Sequence, residues 1–476
     1  MIHEDLTPAM AALLDRQRSA FLRDGPPDLA LRRQRLKRLR AAVLAHRRVL
    51  QQAVSADFGH RSRYETDILE LTVVVQAIDY LSRKLRRFMR PERRHVALIY
   101  RSGRAWVEYQ PKGVIGVMAP WNYPVALTLI PLATALAAGN RAMLKPSELT
   151  PRTSEAIRDL LAGAFPPEEV ATVLGGPEAG AAFSALPFDH LFFTGSTAVG
   201  RKVMQAASGN LVPVTLELGG KSPVIVARGH ADAATLGSIV FGKLSNAGQT
   251  CVAPDYALVH EDDLDAFVAL YDATVARFYP EGPTGADYTS IVSDRHFDRL
   301  KGLVEEARAK GARVIEAGVR PESAALRPRT LAPTLILGAA DDRAVMQEEI
   351  FGPILPLRSY RTMDEVIAHV NAGPRPLALY YFGPRDTERE ALLARTTSGN
   401  VGINSTLIHV AQDDLPFGGI GPSGMGAYHG VEGFRAMSHA KGVFAQGRWN
   451  LPSLLRAPFG RLADLALAVT LGKRRP

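Results

Sequence analysis

The stretch SNAGQTCVAPDY, residues 245–256, holds Cys251, the single cysteine of a 476-residue chain. One thiol closes no internal disulfide, and one cysteine assembles no zinc site by itself. It is either a small buried hydrophobe or a nucleophile. A nucleophile needs a general base, an oxyanion donor and a path for substrate. Two segments carry residue types suited to the first two tasks. In APWNYP, the Asn122 amide stands between Trp121 and Tyr123 in a loop bracketed by Pro120 and Pro124. A rigid amide beside a reacting carbonyl is what an oxyanion hole requires, although such a loop also serves simply to pack its aromatics. In LELGGKS, Glu217 precedes two glycines that leave room for water. A carboxylate in an apolar setting acts as a general base; the alternative is a strand-end glutamate facing solvent.

Two further segments suit a nucleotide. LFFTGSTAVGRKV, residues 191–203, reads as a strand, a turn with Gly195 and Ser196, and a helix start containing Gly200. Backbone N–H groups and the positive end of a helix suit a phosphate. The GxxxxG spacing is neither the GxGxxG dinucleotide fingerprint nor a P-loop, since Arg201 and Lys202 follow Gly200; a plain tight turn fits equally. LKPSE places Lys145 and Glu148 at the end of an expected strand, where doubly wound sheets bind ligands and a carboxylate takes ribose hydroxyls. A surface turn is the other reading.

The elements that must position these groups alternate. Residues 28–90 read as helices, the second long one running to Pro91. From residue 113, short apolar runs (GVIGVMAP, RAMLKPSE, ATVLGG, HLFFTG) alternate with helical stretches at 125–138 and 151–164, the pattern of a parallel sheet covered on both faces. A second series, YALVH, APTLIL, PILPLRSY and LALYYFG, follows VPVTLELGGKSPVIVA, so two α/β units are expected to meet near residue 217. The histidines form no HxH or HxxxH pair, and no metal-ligand cluster is present.

Hydrophobic content of 46% and charged content of 22% describe a soluble globular protein, and the length implies two or three domains. The acidic start MIHEDLTPAM carries no secretory pattern, which with a lone thiol points to a reducing cytoplasm. The net charge of +9 gathers in LRRQRLKRLRAAVLAHRRVL, RRFMRPERR and the closing GKRRP. In the first of these, leucines at helical spacing describe a solvated amphipathic helix; without interleaved aromatics it is no nucleic-acid motif. The apolar tail LPSLLRAPFGRLADLALAVTLG is broken by Pro458, Arg461 and Asp464. Its longest uncharged run is too short to span a bilayer; packing on a partner subunit is favoured over lying on a membrane surface.

PWNYP, KPSE, FTGS with its GxxxxG turn, ELGGKSP, GQTC, EEIFGP and PFGG occur in the order found in the NAD(P)-dependent aldehyde dehydrogenases, which the chain resembles over residues 30–450. NLVPVTLELGGKSP, PFGGIGPSGMGAYHG and SHAKGVFAQGRWN are most similar to the class 3 branch and, within it, to the coniferyl aldehyde dehydrogenases. The resemblance implies Cys251 as nucleophile, Asn122 and the Cys251 N–H as oxyanion donors, and Glu217 as the base that hydrolyses a thioester. It implies Trp121, Lys145, Glu148, Gly195, Ser196 and Gly200 as contacts to the adenosine and pyrophosphate of NAD, with NADP as the alternative. Glu349 and Phe351 carry over as contacts to the nicotinamide riboside, and Tyr123 as a candidate wall of the aldehyde slot.

The implied architecture is α/β. A Rossmann-like cofactor domain takes residues 1–92 and 113–217, and a catalytic domain takes 218–437. A small β bridging element for oligomerisation takes 93–112 and 438–450, before a C-terminal tail at 451–476. A homodimer is expected, acting on a small aldehyde of aromatic or α,β-unsaturated type. The rivals are a medium- or long-chain fatty aldehyde enzyme, a CoA-acylating relative, against which Glu217 argues, and a silent crystallin-like protein, against which the intact triad argues.

Overall fold

The computed structural model describes residues 6–319, 327–450, 453 and 456–472; the start of MIHEDLTPAM and the basic close from Lys473 lie outside them. Three sheets organise the chain. In chain order the first strands are β1 (Glu92–Arg94), β2 (Arg104–Pro111), β3 (Val114–Met118), β4 (Arg141–Lys145), β5 (Val170–Thr172), β6 (His190–Thr194) and β7 (Val214–Glu217). Then come β8 (Pro223–Val226), β9 (Tyr256–His260), β10 (Arg313–Glu316), β11 (Thr334–Leu337) and β12 (Ile354–Tyr360). The last are β13 (Ala378–Phe382), β14 (Asn400–Ile403), β15 (Gly424–Met425) and β16 (Ser438–Ala445).

β3 to β7 form a parallel sheet whose order is β15-β7-β6-β3-β4-β5. VIGVM, RAMLK and HLFFT are buried at every residue, as expected of strands with helices on both faces. The helix Ala126–Ala138, buried at every position except Leu127, covers one face. Its apolar surface all round leaves it no solvent side. Removing a core side chain such as Leu144, fully buried in β4, is expected to cost about 2–5 kcal/mol through lost burial and the cavity left behind.

The second sheet runs β10-β11-β12-β9-β8-β13-β14, parallel except for β10. The chain leaves the first sheet after Glu217 and enters the second at Pro223, so the glycines of LELGGKS fall at the crossing. The third sheet, β1-β2-β16, is antiparallel and joins RAWVEYQP to SHAKGVFA. Its last strand ends at Ala445, short of the GRWN anticipated in it.

Three features differ from the sequence reading. A helix at Thr7–Asp24 precedes those expected from residue 28. The long helix before Pro91 is divided, with a π-helical stretch at Asp67–Thr72 ahead of Val73–Phe88. Finally, Gly424–Met425 of PFGGIGPSGMG crosses back to pair antiparallel with Leu216–Glu217. In the tail, the helix Arg461–Leu471 leaves Leu462, Leu465, Val469 and Leu471 exposed. Among the described residues no helix is long and apolar enough to cross a membrane.

Candidate active site

Cys251 follows a turn, Ser245–Gly248, in which Asn246 and Ala247 adopt φ/ψ of 53°/32° and 51°/35°. Two successive non-glycine residues in the left-handed region are unfavourable by about 1–2 kcal/mol each, so the surroundings must impose the shape. They do so with buried hydrogen bonds. Asn246 donates its backbone N–H to Glu65 Oε1 (2.9 Å) and its side-chain amide to the carbonyls of Asn122 (2.9 Å) and Gln249 (3.1 Å). The Gln249 side chain donates to the carbonyls of Asn246 and Ser290 and accepts from Val292 N–H. Two tyrosines hold the residues flanking Cys251: Tyr123 through its hydroxyl to Thr250 Oγ1, and Tyr380 through its hydroxyl to Val252 O, each at 2.7 Å.

The same network holds Asn122. Its backbone carbonyl accepts from Asn246 and from Arg61 Nη1 (3.2 Å), and its amide nitrogen donates one hydrogen to Gln249 O (3.1 Å). A primary amide has two N–H donors, which leaves the second for a ligand. Arg61 is wholly buried and paired with Glu70 at 2.8 Å. The other oxygen of Glu70 accepts from Val125 and Ala126 N–H, at the start of the helix after the loop. One buried ion pair therefore fixes the PWNYP loop at its middle residue, Asn122, and just beyond its C-terminal end.

Glu217 ends β7 with its backbone held on both edges, by Thr194 in β6 and Gly424 in β15. Its side chain differs: both carboxyl oxygens are buried and neither has a hydrogen-bond partner. Burial raises its pKa well above the carboxylate range. Burial likewise pushes the Cys251 thiol up to about 12, with Glu349 and Glu217 acting in the same direction, while the N–H groups of Cys251 and Val252 pull it down. Glu349 is raised to about 8, chiefly by burial, against a hydrogen bond from Gly220 N–H and the charges of Lys221 and Arg299.

These groups meet in one cavity of about 210 Å³ lined by Trp121, Asn122, Gly195, Ser196, Glu217 and Cys251, with Glu349 and Phe351 opposite. Gly219 admits the Glu349 carboxylate: a Cβ there would lie 2.1 Å from its Oε2. The cavity spans the carboxyl ends of β7, β6 and β3, where open α/β sheets take ligands. The helix Thr197–Ser208 starts there with Ser196 as its N-cap, presenting free N–H groups suited to a phosphate.

Not every anticipated residue lines this cavity. Lys145 and Glu148 stand at the end of the neighbouring β4, joined by a 3.0 Å ion pair in which Lys145 is buried and Glu148 half-exposed. Gly200 faces inward, where a Cβ would strike Leu218 at 2.7 Å; its smallness lets the helix approach the strand. The Tyr123 ring is buried beside the Arg61 guanidinium, 4.9 Å from ring centre to Cζ, and lies outside the lining.

The sequence reading missed His296 and Arg299. Both line the cavity from the first turns of the helix Asp294–Ala309, and the His296 ring packs on Trp121 with centroids 4.9 Å apart. VSDRHFDRL carries a helix-capping serine but nothing that announces proximity to residues 121 or 349.

A thiol, an amide donor and an unpartnered carboxyl around one cavity form an acyl-transfer constellation beside a nucleotide-type turn. The chain belongs to the aldehyde dehydrogenase family, with residues 14–443 matching it. It is 50% identical to a protein of Caulobacter vibrioides named probable coniferyl aldehyde dehydrogenase, across 95% of this chain and 94% of that one. Among solved structures, a substrate-bound Staphylococcus aureus AldH is similar with TM-score 0.87 and 36% identity, covering 92% of this chain and 95% of that one. A Mycobacterium tuberculosis aldehyde dehydrogenase complexed with NAD+ is similar with TM-score 0.81 and 29% identity, covering 92% and 90%.

Proposed function

We propose that the protein oxidises aromatic or α,β-unsaturated aldehydes of the coniferyl type to carboxylic acids with NAD. The observation that carries this is the Glu217 carboxyl, buried and without a partner in the cavity that Cys251 lines. The Cys251 thiolate adds to the aldehyde carbon, and the oxyanion is held by the second Asn122 N–H and the Cys251 N–H. When bound, NAD would supply the acceptor for the hydride that leaves this carbon. Glu217 then takes a proton from water, which attacks the resulting thioester, and Cys251 leaves as thiolate.

The cavity and the adjoining end of β4 fit such a cofactor. Glu349 and Lys145 with Glu148 offer groups for the two riboses, Trp121 and Phe351 offer rings, and Gly195 and Ser196 open the helix end for the pyrophosphate. Support for NAD comes from the NAD+ complex of the Mycobacterium tuberculosis relative, and support for the substrate from the name of the Caulobacter relative. We assign Tyr123 to holding Thr250 beside the nucleophile.

We further assign residues 1–92 and 113–217 to the cofactor domain and 218–437 to the catalytic domain, with Gly424–Met425 lent to the first sheet. A homodimer through β1-β2-β16 accounts for the exposed Phe444 and Trp449. The test is steady-state kinetics with coniferaldehyde, cinnamaldehyde, acetaldehyde, hexanal and decanal. Burying one ring contributes about 2 kcal/mol, so the conjugated aldehydes should exceed acetaldehyde in kcat/KM by tens-fold. A clear preference for decanal would move the protein to the fatty-aldehyde group.

A further inference from the structure

Lys221, the lysine of LELGGKS, has no part in the chemistry above, yet it is almost enclosed, with 13% of its side chain exposed. Its ammonium pairs with Asp255 and donates to the carbonyls of Val345 and Glu348, each at 2.9 Å. The other Asp255 oxygen accepts Ile350 N–H at 2.8 Å. From the opposite side Arg299 donates to the carbonyls of Glu349 and Ile350. Three charged side chains thus grip the backbone of 345–350. That segment carries the Glu349 carboxyl into the cavity and leads to Phe351, whose φ of 53° is strained for a residue with a side chain.

The origin of two of the three gripping residues sharpens the point. Lys221 lies four residues beyond Glu217, and Asp255 four residues beyond Cys251. They precede adjacent parallel strands, β8 and β9, in which Pro223 pairs with Tyr256, and Asp255 N–H donates to Ser222 O at 2.8 Å. The segments holding the base and the nucleophile are therefore joined to each other and to the Glu349 loop at one buried point. Five backbone hydrogen bonds with three charged side chains hold this short segment. An ammonium held by one carboxylate and two carbonyls also has all three of its donors used, which argues against a role in proton transfer or in binding ligand.

We propose that Lys221, Asp255 and Arg299 are positioning residues, which set the Glu349–Phe351 loop in register with Cys251 and Glu217 so that hydride transfer and acylation share one frame. This rests on the reading of the cavity as a site for nicotinamide and aldehyde. Displacement of a reacting partner by about 1 Å lowers rates up to about a hundredfold, and the loop would shift without its anchors.

The test is Lys221→Met in the full chain. Both KM for NAD and the turnover time should rise about tenfold, within the range a small misplacement produces, and the C1-deuterated aldehyde should show a larger primary isotope effect than in the wild type. Hydrolysis of p-nitrophenyl acetate, which needs the thiol, the amide and the base but no hydride acceptor, should stay within about twofold; the iodoacetamide alkylation rate of Cys251 without NAD gives a second reading of the same centre. Lys221→Arg should bring KM for NAD back toward the wild-type value. Parallel loss of ester hydrolysis, alkylation and oxidation would reduce the lysine to a fold-stabilising role and overturn the proposal, as would unchanged NAD kinetics. A wild-type protein with neither oxidation nor ester hydrolysis would instead overturn the underlying functional reading.

Discussion

Glu217 and Glu349 enter the same cavity from two regions built on opposite plans. At Glu217 the backbone is fixed by strand pairing on both edges and the carboxyl is left bare. At Glu349 no strand fixes the backbone; charged side chains do, and the carboxyl is itself tied to Gly220 N–H. The electrostatics follow. Burial acts on Glu217 with nothing to oppose it, whereas Lys221, Arg299 and the Gly220 N–H limit the rise of Glu349 to about 8. A bare buried carboxyl is unfavourable for folding and useful only if a proton or water must reach it. A tethered one suits holding a ligand in place.

The sharpest way to break this division is to remove the thiol that lines the cavity with both carboxyls. Cys251→Ala should abolish aldehyde oxidation, a loss of at least about 10⁴-fold in kcat, since no other thiol is present to carry the acyl group. NAD binding, followed by fluorescence quenching, should persist. Appreciable turnover by the variant would make the thiol structural.

The pH dependence of alkylation refines the electrostatic half of the comparison. A thiol raised to about 12 is almost wholly protonated at neutral pH, and its thiolate fraction grows about tenfold per unit of rising pH until that value is approached. The iodoacetamide rate of the free protein should therefore still be climbing at pH 10. A plateau below pH 8 would mean that burial, with Glu349 and Glu217 beside it, does not raise the thiol.

How much of this was legible in the sequence depends on whether a group acts within one short segment. APWNYP, LELGGKS, GQTC and EEIFGP each place a side chain by local turn and strand chemistry, and four of them converge on one cavity. The α/β alternation was legible for the same reason, since buried parallel strands read as short apolar runs. Groups defined by partners distant in the chain were not. Arg61 and Glu70 fall in a stretch expected only to be helical, and nothing local announces that they pair beside Asn122. Arg299 reads as one arginine among many, and Lys221 as a residue after two glycines. β15 was hidden because two residues of a glycine-rich stretch carry no alternation, and the π-helical stretch because its extra residue leaves the apolar spacing nearly helical.

A smaller effect belongs to the adenosine side. Glu148 keeps one oxygen free of Lys145 and is half-exposed, placing it to accept a ribose 2′-hydroxyl and to repel a 2′-phosphate. Glu148→Gln should lower the NAD to NADP ratio of kcat/KM by roughly tenfold, the scale of one charge-assisted hydrogen bond of about 1.5 kcal/mol. An unchanged ratio would assign the discrimination elsewhere.

The most direct measurement is stopped-flow NADH formation by Glu217→Gln beside Glu349→Gln, with cinnamaldehyde and saturating NAD. If Glu217 activates water, its variant should release one NADH per active site in a burst and then slow by about a hundredfold or more, because acylation survives and thioester hydrolysis does not. Glu349→Gln should instead slow the first turnover and show no burst, because hydride transfer becomes limiting. Loss of burst and steady rate together in Glu217→Gln, or a burst from Glu349→Gln followed by slow turnover, would contradict the separation of roles.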